Sequence, residues 1–411
     1  MRWEKVKLGD LANCIQPGPF GSQLHSSDYA DEGIPIIMPK DMIGGKISHQ
    51  DLIRVPDEHL QRLKRHQVFD GDLMVARKGD VRKCVYITEN ENGWLTGSDC
   101  LKVSLDKGKC YPKYIYYQLR SPFIGRWLET ISIGATMPSL NTGLLSGIEI
   151  SLPTIDEQMR IAEILSSYDD LIENNQQQIK LLEEAAQRLY KEWFVDLRFP
   201  GHESTPITDG IPEGWQYRQL SEVFDFVRGK SYTSKELSDI DGVLMANLKN
   251  IHAFGGYKRN AEKRFTGQFK ENQTLSAGDV VMGVTDMTQE RRLVGHVALV
   301  PDMGEAMTFS MDLIKIIPKL TDKLFIYSAL YYGGLSKNIS PLANGVNVLH
   351  LKPEAMMGIE MLVPCDEMVN AYHQQLSPII DRIEALQKQC DIAVKARDRL
   401  LPKLMNGEIE V

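Results

Sequence analysis

Side chains able to read the edge of a base pair recur in this chain at glycine-bounded turns. Gln23, Asn247, Asn250, Gln289 and Asn347 can each bond adenine through an amide, and Arg77, Arg291 and Lys249 can bond guanine. Cationic residues surround them: Arg62, Lys64, Arg65, His66, Arg77, Lys78, Arg82 and Lys83 in one half, and Lys258, Arg259, Lys263, Arg264, Lys270, Arg291 and Arg292 in the other. Such clusters suit phosphate oxygens, although a solvated face carries the same charges. The loop Pro17-Gly18-Pro19-Phe20-Gly21-Ser22-Gln23 adds glycines that let backbone approach a ligand, with one aromatic and two polar side chains. Lys40, Asp41, Lys230, Tyr232, Thr285, Asp286 and Thr288 complete the candidate contacts.

Covalent chemistry finds less support. A phosphate loop needs GxxxxGK[ST]; Gly229-Lys230-Ser231 supplies its end, but Phe224 stands at the first glycine position. No Pro-Pro pair offers an amino-methyltransferase tetrapeptide, and Pro56-Asp57 and Pro301-Asp302 lack the Glu-x-Lys of a nuclease. There is no HExxH, no HxxxH and no GxSxG, and the nine histidines are scattered. The expectation is a chain without catalytic residues and without a metal site.

These loops need a frame, and the frame is an internal repeat. Trp3–Leu8 matches Trp215–Leu220, Lys40-Asp41-Met42 matches Lys249-Asn250-Ile251, and Gly71-Asp72 matches Gly278-Asp279. Leu101-Lys102-Val103 matches Ile314-Lys315-Ile316, GATMPSL (134–140) matches GVNVLHL (345–351), and Gly147-Ile148-Glu149 matches Gly358-Ile359-Glu360. The offset stays between 207 and 213 throughout. Within each copy, short apolar runs such as 71–80, 84–90, 278–286 and 295–302 alternate with turn residues and read as strands. Helices are expected at 111–122 and 321–334.

Each copy ends in a long helix. From Ile161 the residues Leu165, Tyr168, Ile172, Asn175, Ile179, Leu182, Ala186, Leu189 and Trp193 alternate spacings of four and three, a heptad seam. The second copy supplies Tyr372, Leu376, Ile379, Ile383, Leu386, Cys390, Ala393, Arg397, Leu400 and Leu404. Pro153 and Asp156 mark the first start, and Pro378 is a place for a kink. If the copies are related by a two-fold, the helices run antiparallel and pair Ile172 with Ala393, Ala186 with Ile379, Asn175 with Cys390, and Tyr168 with Arg397. The alternative is that each helix packs on its own domain. The expected organisation is α+β: residues 1–155 and 199–364 as two similar domains, 156–198 as a central spacer helix, and 365–411 as a C-terminal helix and tail. Forty helical residues span roughly 60 Å.

Of 411 residues, 43% are hydrophobic and 25% charged, which excludes a mostly disordered, collagen-like or disulfide-dense chain. The net charge is −8, of which 156–198 carries −5, leaving both large segments near neutral and free to hold local basic faces. No apolar stretch nears the ~18 residues of a membrane span. MRWEKVKLGD has no apolar core of a secretory leader, and the six cysteines form no CxxC pair. A cytoplasmic protein with reduced thiols is expected.

With its two variable domains, two long helices, the helix entry GIEISLPTIDEQMRIAEIL (147–165), and the segments GPFGS (18–22), IPEGW (211–215) and TDMTQE (285–290), the chain resembles the specificity subunits of type I restriction–modification systems. The second helix departs from this pattern, with CDEMVNAYHQQL (365–376) where the first has IDEQMRIAEIL (155–165). The resemblance implies two target recognition domains, each reading half of a split, asymmetric site in double-stranded DNA, with the helices setting the gap. It implies docking of two methyltransferase subunits that bind S-adenosylmethionine, and of two restriction subunits that bring ATP and magnesium chemistry. No cofactor is expected in this chain. Two rivals are a coiled-coil scaffold that binds only proteins, and an enzyme whose site assembles across both repeats.

Overall fold

The computed structural model describes residues 3–131 and 139–411, without the side chains of Ser22 and Ile131. Of the GATMPSL motif, only Ser139 and Leu140 lie within the described residues. The chain forms two compact units, Met1–Asn174 with Gln389–Val411, and Asn175–Lys388.

In the first unit a four-stranded antiparallel sheet has the order Ala12–Pro17, Cys100–Leu105, Leu73–Ala76, Cys84–Tyr86. A smaller sheet places Ile34–Ile37 between antiparallel Ile53–Val55 and parallel Leu95–Thr96. Glu4–Lys7 pairs with Glu149–Leu152 and brings the start of the unit beside its end. Helix α1 (Pro112–Leu119) opens on a proline, which has no N–H to leave unsatisfied. Its Tyr114 and Tyr117 join Leu73, Val75, Leu101 and Val103 in the core.

The second unit repeats this frame. Its four-stranded sheet runs Phe224–Arg228, Leu313–Pro318, Val280–Gly283, Val297–Leu299, and Gln216–Gln219 pairs with Glu360–Val363. Matching positions make matching backbone bonds. Leu8 N–H donates to Ile148 O and Leu220 N–H to Ile359 O, both at 2.8 Å; Gly71 donates to Ile87 and Gly278 to Val300. The second sheet is larger here, with five strands and the same parallel pairing at its centre, Val243–Ala246 with Met307–Phe309.

The helix α2 (Ile155–Tyr190) begins where Thr154 and Glu157 bond reciprocally, a capping box. Helix α3 (Lys323–Tyr331) begins at Asp322, whose carboxylate accepts from Leu324 and Phe325 N–H. Helix α4 (Asp366–Met405) runs unbroken through Pro378.

In the first unit, Ile161, Ala162 and Leu165 of α2 and Leu401, Leu404 and Met405 of α4 enter the same core as the sheet. Arg397 binds Asp169 at 2.6 Å and the Cys390 thiol lies 3.8 Å from Ile172 O, so the two segments are antiparallel near the expected register. In the second unit, Ala186 and Tyr190 of α2 join Val369, Tyr372 and Leu376 of α4 around the sheet. Ile172, Asn175, Ile383, Leu386 and Ala393 are buried, while Tyr168, Ile179, Leu182, Leu189, Ile379 and Leu400 are half-buried. The seam therefore pairs helix with helix and also packs each helix segment on a domain; the two expectations are not exclusive.

The expected helix to residue 198 ends earlier. Lys191–Val195 form a wide turn in which Asp196 N–H reaches back five residues to Lys191 O. That extra residue lets adjacent Trp193 and Phe194 both face inward, where α-helical spacing would turn one away. Phe194 sits 4.8 Å from Tyr372 and 5.1 Å from Phe325, ring centre to ring centre.

Candidate nucleic-acid interface

The loops that carry Phe20 and Arg77 in the first unit, and Lys230 and Gln289 in the second, leave the ends of the four-stranded sheets. Gly18 donates to Cys100 O, and a Cβ there would stand 1.9 Å from Gly97 O. Gly229 occupies the matching place, where a Cβ would stand 2.0 Å from Ser310 O. Only glycine fits such a backbone approach. Beyond Gly18, Phe20 is 54% exposed, and the Arg77 guanidinium lies over its ring at 5.8 Å. Arg77 leaves the sheet beside this loop: its N–H donates to Asp99 O and its carbonyl accepts from Leu140. Lys78 pairs with the Asp99 carboxylate at 3.0 Å.

His66 is buried behind the first loop, with Gln16, Gln23 and Arg65 each within 3.2 Å of its ring nitrogens. Burial, with Arg65 and Lys102 nearby, pushes its pKa down to about 4, so it is neutral at pH 7. It positions Gln23 and Arg65, a role the sequence did not signal beyond a histidine inside a basic run. Arg62 pairs with Asp28 at 2.8 Å, and Lys64 is exposed.

In the second unit, Thr285-Asp286 pairs with Leu349-His350, which brings the loops 287–294 and 344–348 side by side. Gln289 donates to Val346 O at 2.7 Å, Asn347 and Thr288 are exposed, and Arg292 pairs with Glu290 at 2.6 Å. Arg291 holds a left-handed φ of +52° and is half-buried. Phe254 N–H reaches Arg292 O, which joins the turn 252–256, next after the one carrying exposed Lys249, to this edge. Lys230 bonds strand residue Phe309 through its backbone, and Tyr232 accepts from Lys263 at 3.0 Å.

Five expected contacts are corrected by burial. Asp41 is 2% exposed, accepts from Met38 N–H at 2.9 Å and holds Lys40 at 2.6 Å. Asn247 and Asn250 form the equivalent turn and are engaged with each other, Ala261 O, Lys258 O and Glu262. Thr285 donates to Asp312. Asp286 is fully buried and accepts from Thr288 N–H and Oγ1 at 2.8 Å each, Leu293 N–H at 2.6 Å and Val294 N–H at 3.3 Å. Burial raises its pKa, but these hydrogen bonds outweigh it and the carboxyl is held below its ordinary value. Side chains whose polar atoms are satisfied inside the fold cannot read a base; these five shape the loops that carry exposed neighbours. Ser22 lies outside the described side chains.

Among the described residues, no group of three or more His, Cys, Asp or Glu is placed to hold a metal ion, and all six cysteines are free thiols. No helix among them is long and apolar enough to cross a membrane.

Residues 1–184 match the family model described as the type I restriction modification DNA specificity domain. The chain is 26% identical to the type I restriction enzyme MjaIX specificity subunit of Methanocaldococcus jannaschii, covering 100% of this chain and 94% of that one. It is 20% identical to the HindI specificity subunit of Haemophilus influenzae, covering 99% of each. The crystal structure of a type I restriction–modification S subunit from M. genitalium shares the fold, with a TM-score of 0.63 at 16% identity over 98% of this chain and 96% of that one.

Proposed function

We propose that this chain, a member of the type I restriction–modification specificity-subunit family, is the DNA sequence-recognition subunit of its complex and reads a split target, one half per unit. The observation that carries this reading is one frame bearing two unlike loop sets. The same strand order presents Phe20, Arg77 and Lys78 in one unit, and Thr288, Gln289, Arg291 and Asn347 in the other. Equal frames argue for equal docking; unequal side chains argue for different half-sites.

On this reading the chain is non-catalytic. Two methyltransferase subunits dock on it and bind S-adenosylmethionine, and two restriction subunits supply ATP- and magnesium-dependent chemistry. The paired helices fix the gap between half-sites, and the acidic stretch 156–198 faces protein partners. The test is to co-express the chain with its neighbouring methyltransferase subunit and sequence the host DNA for modified adenine. A split, asymmetric motif with a fixed gap is expected. An intact complex that leaves no such motif would favour the scaffold alternative.

A further inference from the structure

Several cationic groups near the candidate interface are matched by a carboxylate: Arg62 by Asp28, Lys78 by Asp99, Arg264 by Glu305, Arg292 by Glu290. Arg77 and Arg291 differ. Each is half-buried, and each has its Nε closed off from solvent with no hydrogen-bond partner. Neither side chain makes an ion pair among the described residues. A buried charged donor left unpaired is costly, and folded proteins seldom keep one without use.

The two arginines share a place in the frame. Arg77 lies in the loop joining Leu73–Ala76 to Cys84–Tyr86, and Arg291 in the loop joining the matching strands Val280–Gly283 and Val297–Leu299. Arg77 is restrained by a ring, and Arg291 through its backbone. Arg77 stacks on Phe20. The Arg291 backbone sits in a strained left-handed conformation, two residues before the first of the two amides, Leu293 and Val294, that clasp Asp286 at 2.6 and 3.3 Å. A mobile surface arginine suits a phosphate. A restrained, unpaired guanidinium offers a planar fork to two acceptors in one plane, as N7 and O6 of guanine present in the major groove.

We propose that Arg77 and Arg291 are specificity-determining residues, each reading one guanine, so that both half-sites of the target contain a guanine. This rests on the recognition reading above. The experiment is methylation mapping with the full complex, comparing wild type with Arg77→Ala, Arg77→Lys, Arg291→Ala and Arg291→Lys. Each alanine variant is expected to lose about 5- to 150-fold of discrimination at one guanine, the worth of a bidentate pair. The other half-site should stay intact, and lysine should not restore the discrimination.

A wild-type complex with no split motif overturns the recognition reading itself. A split motif without guanine in one half overturns the assignment of that arginine alone. A loss uniform across sequences with a smaller salt slope in the alanine variant, restored by lysine, would mark a phosphate contact and also overturn it. Folding is checked independently with Arg77→Met and Arg291→Met. Removing an unpaired donor should leave the melting temperature unchanged or higher, and a clear fall would show that the guanidinium is satisfied within the fold.

Discussion

Asp286 gives the sharpest test of how the second unit holds its loop. The carboxylate is fully buried and accepts four hydrogen bonds, two on each oxygen. Asp286→Asn keeps the shape but leaves one oxygen for two donor pairs. If the amide NH2 turns toward Thr288, its hydroxyl can rotate to accept, but the Thr288 N–H cannot. If it turns the other way, the Leu293 and Val294 N–H groups both lose their acceptor. Either orientation leaves at least one N–H without its acceptor and removes charge assistance from the rest, a cost of about 2–4 kcal/mol. The cost falls on local opening of 286–294, so exchange at the Leu293 and Val294 amides should accelerate about 30- to 900-fold, at 1.36 kcal/mol per tenfold. Hydrogen exchange by mass spectrometry reads this directly, and methylation mapping should show one half-site degraded and the other kept. Because the folded carboxyl lies below its ordinary 3.8, its stabilisation is present above that pH and is lost as pH falls through the depressed folded value; the asparagine variant should lack this acid dependence. Unchanged exchange at Leu293 and Val294 would refute the argument that Asp286 clasps the loop.

Three further outcomes follow from the geometry. Gly229→Ala drives a methyl to 2.0 Å from Ser310 O and should cost at least about 1–3 kcal/mol in urea unfolding, whereas Gly358→Ala, whose methyl meets nothing within 4 Å, should be near neutral. In a Cys390→Ser background, which removes the thiol now 3.8 Å from Ile172 O, the pair Ile172→Cys and Ala393→Cys should cross-link under mild oxidant; preferential cross-linking one turn away would show a different register. His66, held near 4 against an ordinary 6.5, binds fewer protons folded than unfolded across that interval. Stability of the first unit should therefore fall as pH drops from 6.5 toward 4, by at most about 3 kcal/mol, and His66→Gln should flatten the profile in pH-dependent denaturation.

The repeat was legible because both copies keep the turn residues their shared frame demands: Gly71-Asp72 and Gly278-Asp279 make the same turn, and Lys40-Asp41 and Lys249-Asn250 cap the same one. The small sheets were not legible. Their strands run two to four residues, and the parallel pairing of Ile34–Ile37 with Leu95–Thr96 joins segments far apart in sequence. The break at Lys191–Val195 was hidden because seam spacing continues through Trp193; what decides it is that Trp193 and Phe194 both reach a common aromatic cluster. At the interface, Asn and Asp were ambiguous by nature. The same short side chain reads a base when exposed and closes a turn when buried, and only the fold assigned Asp41, Asn247, Asn250 and Asp286 to the second task. Arg77 and Arg291 were legible as arginines in matched loops, while their lack of partners was not.

The first unit takes its core from both ends of the chain, with Leu401, Leu404 and Met405 packed among residues before 166. A ribosome delivers these pieces at different times. After Asn174 emerges, all of Asn175–Lys388 must be made before the closing segment exists, an interval of about 10–40 s at ~5–20 residues per second. The second unit, contiguous in sequence, can be complete during that wait, while the first holds an apolar surface open to solvent. Biogenesis therefore has a fixed order: the domain begun first is finished last, and its unfinished face is where a chaperone would be needed.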